Sequence, residues 1–154
     1  MTLDEELIIL LQKEIDILIK LKEITNNKTD IIVSNEVREL ENTIKIEENL
    51  INQLATKEAE REKLLDSWGL DKDMPITELI DKVPKGQDEL NRLKEELAVL
   101  LLDIESINKI NNELIEENLQ WLDFNMNLIY NTQSPSIYGK EETQGKNSLF
   151  DRKV

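Results

Sequence analysis

Residues 87–117 read QDELNRLKEELAVLLLDIESINKINNELIEE, and this stretch decides the fold. Its large apolar residues recur at alternating steps of three and four, which is the spacing of a helix that buries one stripe of its surface. The stripe consists of Leu90, Leu93, Leu97, Leu100, Ile104, Ile107 and Leu114. The pattern predicts a long helix, which we expect to begin near Gln87 and to end near Thr132.

Two further segments upstream show the same periodicity. Thr2 and Glu5 have the spacing of a capping box, which predicts a helix that begins almost at the first residue. The polar residues 26–30 predict a break, after which a second helix is expected from about residue 30 to 68 with Gly69 as its C-terminal cap. Residues 70–86 contain two of the three prolines. We expect one short helix there, near residues 75–80, and a reversal of chain direction between the long helices.

The composition favours the same fold class. Only four glycines and three prolines occur among 154 residues, which is too few for the many tight turns of a β-sandwich or barrel. We therefore predict an all-α protein: an elongated antiparallel helical bundle or coiled coil of two or three long helices with a short connector helix. The expected domains are a bundle over residues 1–132 and a flexible C-terminal tail over residues 133–154.

The chain contains no histidine and no cysteine. Nucleophilic sites built on Ser/His or Cys/His pairs are excluded, as are zinc sites that need imidazole or thiolate ligands. The net charge of −14 disfavours nucleic acid and anionic lipid surfaces as partners. The longest apolar runs have five residues and cannot span a bilayer. We expect a cytoplasmic protein that is not an enzyme and needs no cofactor or metal.

Two features of the apolar stripes depart from a simple bundle. In the first helix Ile8, Ile15 and Ile19 widen the stripe to roughly 220° of the circumference, so another chain or the rest of the bundle must cover them. Glu14 occupies the one missing slot of that stripe. In the second helix Glu58 and Arg61 interrupt the stripe, and the simplest interpretation is an ion pair of i,i+3 spacing on a solvated face.

A row of asparagines lies inside the apolar stripe of the last helix. Asn111, Asn118 and Asn125 recur every seven residues. A buried asparagine fixes helix register because its amide must find hydrogen-bond partners. Two interpretations stay open at this point: a register device within the bundle, or polar positions in a groove for an incoming helix.

An aromatic patch follows on the same helix. Trp121, Phe124 and Leu128 have i, i+3, i+7 spacing, about 90° from the asparagine row. Aromatic residues and methionine on a second helix face suit the recognition of a partner, although they also suit a core. In the tail, Tyr138 and the segment at residues 148–151 have the form of a linear docking motif.

The order of these features resembles the FlgN family of flagellar type III export chaperones over nearly the whole chain. The matching elements are Glu58-x-x-Arg61, Leu64-Leu65 and Gly69, the leucine-rich helix, Asn108-x-x-Asn111-Asn112-x-Leu114-Ile115, the aromatic helix end, and Tyr138-Gly139.

The resemblance implies a cytoplasmic, ATP-independent chaperone that escorts the two hook–filament junction proteins to the flagellar export apparatus. Members hold the C-terminal helices of these clients, bind them through the C-terminal part of the chaperone, and use a tail tyrosine to dock on the export gate. Tyr138 fits that docking position. The candidate client-binding residues are Asn111, Leu114, Asn118, Trp121, Leu122, Phe124, Asn125, Met126 and Leu128.

The implied partners are therefore the junction (hook-associated) proteins and the export gate and ATPase apparatus, with homo-oligomers also compatible. The alternative is a structural coiled-coil adaptor that dimerises through its first helix and has no secretion client. A hydrolase or metal enzyme that uses carboxylates alone is a remote third possibility.

Overall fold

The computed structural model describes the backbone of residues 1–130 and the side chains of residues 1–117. This part of the chain is all-helical and contains no strand, which confirms the predicted fold class. The helices are α1 (Leu3–Val33), α2 (Val37–Ser67), α3 (Ile76–Lys82) and α4 (Gln87–Tyr130). The tail that we predict at residues 133–154 lies outside the described residues.

α1 is the central helix of the bundle. Both α2 and α4 pack along it, and the short α3 packs on α4. α2 runs antiparallel to α1, whereas α4 runs parallel to it, since Lys22 pairs with Asp103 and Thr29 bonds to Asn111. Within residues 1–117 the Cα atoms of α2 and α4 nowhere approach within 8 Å of each other. The two outer helices therefore stand apart on either side of α1.

The predicted helix boundaries near the chain start and at the connector agree with the structure. The Thr2 backbone amide donates a hydrogen bond to the Glu5 carboxylate at 3.1 Å, as a capping box requires. Gly69 ends α2 with a φ of 72°, a conformation that favours glycine. There the Leu70 amide reaches back to the Leu65 carbonyl at 2.9 Å.

The predicted break at residues 26–30 is wrong, because α1 continues to Val33. Two polar side chains of this segment find partners on the neighbouring helices, and the segment forms no turn. Lys28 is buried against α2 and Thr29 bonds to α4. The turn lies at residues 34–36, where Asn35 adopts a φ of 56°, a left-handed conformation that asparagine tolerates.

The core follows the central helix from end to end. Its main cluster joins buried residues of all four helices, including Leu11, Leu50, Leu79 and Leu93. A smaller cluster around Ile32 and Ile115 lies at the other end of the bundle, near the turn between α1 and α2. Tertiary burial, not helix propensity, supplies most of the stability of such long helices.

Candidate functional site

An open groove lies where α2 and α4 stand apart. α1 forms its floor, and α2 and α4 form its walls. Its volume is about 560 Å³. Along α4 the lining runs from Lys94 to Ile104, which is about 15 Å or three helical turns. We call it the α2–α4 groove. Its main apolar side chains are Leu18 and Leu21 from the floor, Ile51 and Leu54 from α2, and Leu97 and Leu101 from α4.

Four charged residues line the same groove. Glu58 and Arg61 belong to α2, Glu14 to α1 and Lys94 to α4. Glu58 and Arg61 form the expected ion pair. The Arg61 side chain is only 17% exposed, however, so this pair borders the groove and does not lie on a fully solvated face. The charges that interrupt the apolar stripes of α1 and α2 therefore lie in one groove.

Glu14 is the most unusual of these charges. The residue is 7% exposed. Its Oε1 atom has no hydrogen-bond partner among the described residues, and neither has the Nε atom of Arg61. Burial raises the pKa of the Glu14 carboxyl from 4.5 to about 7, against the opposing charge of Arg61 and with a smaller contribution from Glu58. The groove thus holds a buried acceptor that the bundle leaves unused.

A buried ion pair joins α1 to α2 farther along the bundle. Lys28 Nζ lies 3.1 Å from Glu47 Oε1, and the two side chains are 1% and 2% exposed. The Thr25 hydroxyl donates to the Leu21 carbonyl at 2.7 Å and lies 3.4 Å from the other Glu47 oxygen. Because an unpaired charge in this position is strongly unfavourable, the pair fixes how α1 and α2 align.

Asn111 aligns α1 with α4 through buried hydrogen bonds. Its Nδ2 atom donates to the Thr25 carbonyl at 3.1 Å, and its Oδ1 atom accepts from the Thr29 hydroxyl at 2.6 Å. The residue is fully buried. Leu114, one turn later, is half-buried against the Ile32 cluster. In this structure both residues lie inside the bundle's own packing, which fits the register interpretation of Asn111.

The other candidate client-binding residues lie on the last part of α4. The helix continues for 15 residues beyond Ile115, to Tyr130. Ile115 packs at the level of Ile32, and α1 ends at Val33. The end of α4 therefore extends about 22 Å beyond the turn between α1 and α2. Asn118, Trp121, Leu122, Phe124, Asn125, Met126 and Leu128 lie on this segment, but their side chains are outside the described residues, as is Tyr138 altogether.

The wide apolar face of α1 is covered mainly by the bundle. Ile15 is fully buried, and Ile8 packs against the main core. Ile19 alone of the three is exposed, at 47%. Of the two ways to cover this face, the bundle therefore accounts for Ile8 and Ile15.

The apolar stripes do not predict the groove, although two features of the sequence point to it. Glu14 takes an apolar slot of α1, and Glu58 and Arg61 take apolar slots of α2. Each interruption concerns a single helix. Periodicity within one helix does not reveal that two such interruptions lie opposite each other across a groove.

The described chain is an all-helical scaffold with an apolar groove of about three helical turns. Within residues 1–117 no group of three carboxylates is placed to hold a metal ion. None of the helices in the described chain has the length and hydropathy needed to cross a membrane.

The comparison with protein families is specific. The family model described as FlgN protein matches residues 1–146, so the chain belongs to the FlgN family. This is a family of flagellar export chaperones. No curated protein and no solved structure matches the chain.

Proposed function

We propose that this protein is a flagellar export chaperone that binds the C-terminal helices of the hook–filament junction proteins. It keeps these helices from associating prematurely and delivers the clients to the type III export apparatus in the cytoplasm. Family membership over residues 1–146 supports the role. We place the client-binding site on the last part of α4 because this helix continues beyond Ile115, past the end of α1.

The projecting segment suits a client helix for a physical reason. An amphipathic client helix tends to aggregate unless its apolar face is covered. Trp121, Phe124 and Leu128 share one face of a helix at i, i+3, i+7 spacing. The part of the α4 backbone that carries them continues past the end of α1, whose packing holds the earlier part of α4. We assign client contact to this face together with Leu122, Met126, Asn118 and Asn125, while Asn111 and Leu114 hold α4 in register.

Tyr138 has a separate task in this proposal. It lies beyond Pro135, where the helical periodicity has stopped. The family resemblance implies a tail tyrosine that docks on the export gate. Client binding and gate docking would then depend on different residues, and single substitutions should separate them.

Calorimetry with the C-terminal segment of a junction protein from the same bacterium tests this division. Trp121→Ala should weaken binding about thirtyfold, because truncation of a buried aromatic anchor typically costs about 2 kcal/mol. Tyr138→Ala should leave the affinity within about twofold and still reduce secretion of the junction proteins. Glu117→Ala, an exposed position one turn before Trp121, is the control. Equal loss of affinity in the Trp121 and Tyr138 variants would contradict the proposal.

A further inference from the structure

The α2–α4 groove has the length of a short helix. α2 and α4 both pack on α1 but stay apart from each other. The groove between them is about three turns long, with an apolar floor and apolar walls. Leu101 on its α4 wall is 52% exposed. A further helix laid on α1 in this position would complete a four-helix arrangement.

Backbone chemistry also favours a helix as the occupant. A peptide in an extended conformation would bring unpaired N–H and C=O groups against apolar walls, which is unfavourable. A helix satisfies these groups internally and offers an apolar stripe to the groove. The occupant is therefore an amphipathic helix of about ten to twelve residues.

The charged residues of the groove indicate that the bound helix carries a hydrogen-bond donor opposite Glu14. Oε1 of Glu14 is buried and has no hydrogen-bond partner among the described residues. Arg61 is close enough to oppose the rise in the Glu14 pKa, but its Nη2 atom pairs with Glu58 and its Nε atom has no partner among the described residues. The chain as a whole carries a net charge of −14, so it attracts cationic partners. A donor from the occupant, directed at Glu14 from the middle of its apolar face, would satisfy this acceptor.

We propose that the α2–α4 groove is a second docking site for the exported client, which takes an amphipathic helix with a lysine or arginine at the centre of its apolar face. The cation pairs with Glu14, while flanking apolar residues contact Leu18, Leu54 and Leu97. The inference rests on the proposed chaperone function. It adds a site distinct from the end of α4.

The affinity of the groove for the client helix should depend on pH. Only the ionised Glu14 carboxylate pairs with a cation, and burial raises its pKa to about 7 in the free protein. The other charged groups of the groove are Glu58 and Arg61 from α2 and Lys94 from α4, and α3 contributes only Ile76. Client affinity should therefore rise as the pH increases from about 6 to 8, and it should be independent of pH in this range after Glu14→Leu.

The decisive experiment combines cross-linking with affinity. The full chain carries a photoreactive amino acid at Ala98 in the groove or, as a control, at the exposed Val99, which helical spacing turns away from the groove lining. A purified full-length junction protein from the same bacterium is the probe. We expect cross-links from position 98, and not from position 99, to a client helix with a central basic residue.

Glu14→Leu should weaken the client about tenfold, as expected for loss of a charge-assisted hydrogen bond. Glu23→Leu, the same change at an exposed position of α1 outside the groove lining, should leave affinity unchanged. We expect Glu14→Leu to fold more stably than the wild type, because it removes a buried carboxylate. A loss of client affinity in this variant therefore cannot come from damage to the fold.

The outcomes separate this inference from the proposed function. If the client binds and Trp121→Ala weakens it, but position 98 gives no client cross-link, the groove site is refuted and the chaperone function stands. Cross-links from position 98 to a second copy of this chain would also refute the groove site. If the client does not bind the wild-type chain at all, the proposed function fails and the groove site fails with it.

Discussion

Replacement of Glu14 by glutamine should stabilise the protein several times as much at pH 8 as at pH 5. Burial raises the pKa of the Glu14 carboxyl to about 7 in the folded state, from 4.5. Below pH 4.5 both states are protonated and the carboxyl causes no penalty. Between pH 4.5 and 7 the unfolded chain ionises while the folded protein keeps the carboxyl protonated, so stability is lost over this range and the loss is complete above pH 7.

The magnitude follows from the size of the shift. Each unit of pKa difference corresponds to about 1.36 kcal/mol, which sets an upper limit of about 3 kcal/mol for this carboxyl. Water at the open mouth of the groove screens the charge, so we expect a penalty of about 1–2 kcal/mol at pH 8. Glutamine has nearly the same shape as a protonated glutamate and does not ionise. The variant should therefore gain that amount at pH 8.

Urea unfolding followed by circular dichroism at pH 5, 6, 7 and 8 measures the difference directly. The other carboxylates are present in both proteins, so the comparison reports on Glu14. Glu95→Gln, an exposed position on α4, serves as the matched control and should show no pH-dependent difference. A difference between wild type and Glu14→Gln that is the same at all four pH values, or a variant less stable than wild type at pH 8, would refute the reasoning.

Three further predictions concern the interior contacts and use the same unfolding assay. Lys28→Met should cost about 3–5 kcal/mol because it leaves Glu47 buried without its partner, and the double variant with Glu47→Leu should recover most of that loss. Asn111→Leu should cost about 1–3 kcal/mol, since a threonine hydroxyl and a carbonyl of α1 lose their partner. Ile15→Gln should cost more than 2 kcal/mol, whereas the exposed Ile19→Gln should change stability by less than about 0.5 kcal/mol. Equal effects of the two isoleucine changes would contradict the burial of Ile15.

The fold class could be predicted because apolar periodicity is a local property. The leucines of residues 87–117 specify a helix without knowledge of the rest of the chain. Gly69 marked the end of α2 for the same reason, since few other residues adopt a positive φ at a helix end.

The error at residues 26–30 has a non-local cause. Asn26, Asn27 and Asp30 favour turns by local propensity. Lys28 and Thr29 nevertheless find Glu47 and Asn111 on other helices, and these contacts outweigh the local preference. The partners are 19 and 82 positions away in the chain, so no local pattern reveals them.

The α2–α4 groove was beyond sequence reasoning for a related reason. The heptads of α2 and α4 predict that both helices pack on something, and α1 satisfies both. Whether the outer helices also meet each other depends on the angle at which each one crosses α1. Only the three-dimensional arrangement shows that they stay apart and that Glu14 lies between them.

The central claim is that this chain is a chaperone with a secretion client, and not a self-associating coiled-coil adaptor. Light scattering coupled to size-exclusion chromatography, with and without the C-terminal segment of a junction protein, tests it most directly. We predict a compact complex of the chain with the client segment, which Glu117→Ala preserves and Trp121→Ala disrupts. A constitutive elongated dimer whose mass does not change when the client segment is added would contradict the claim.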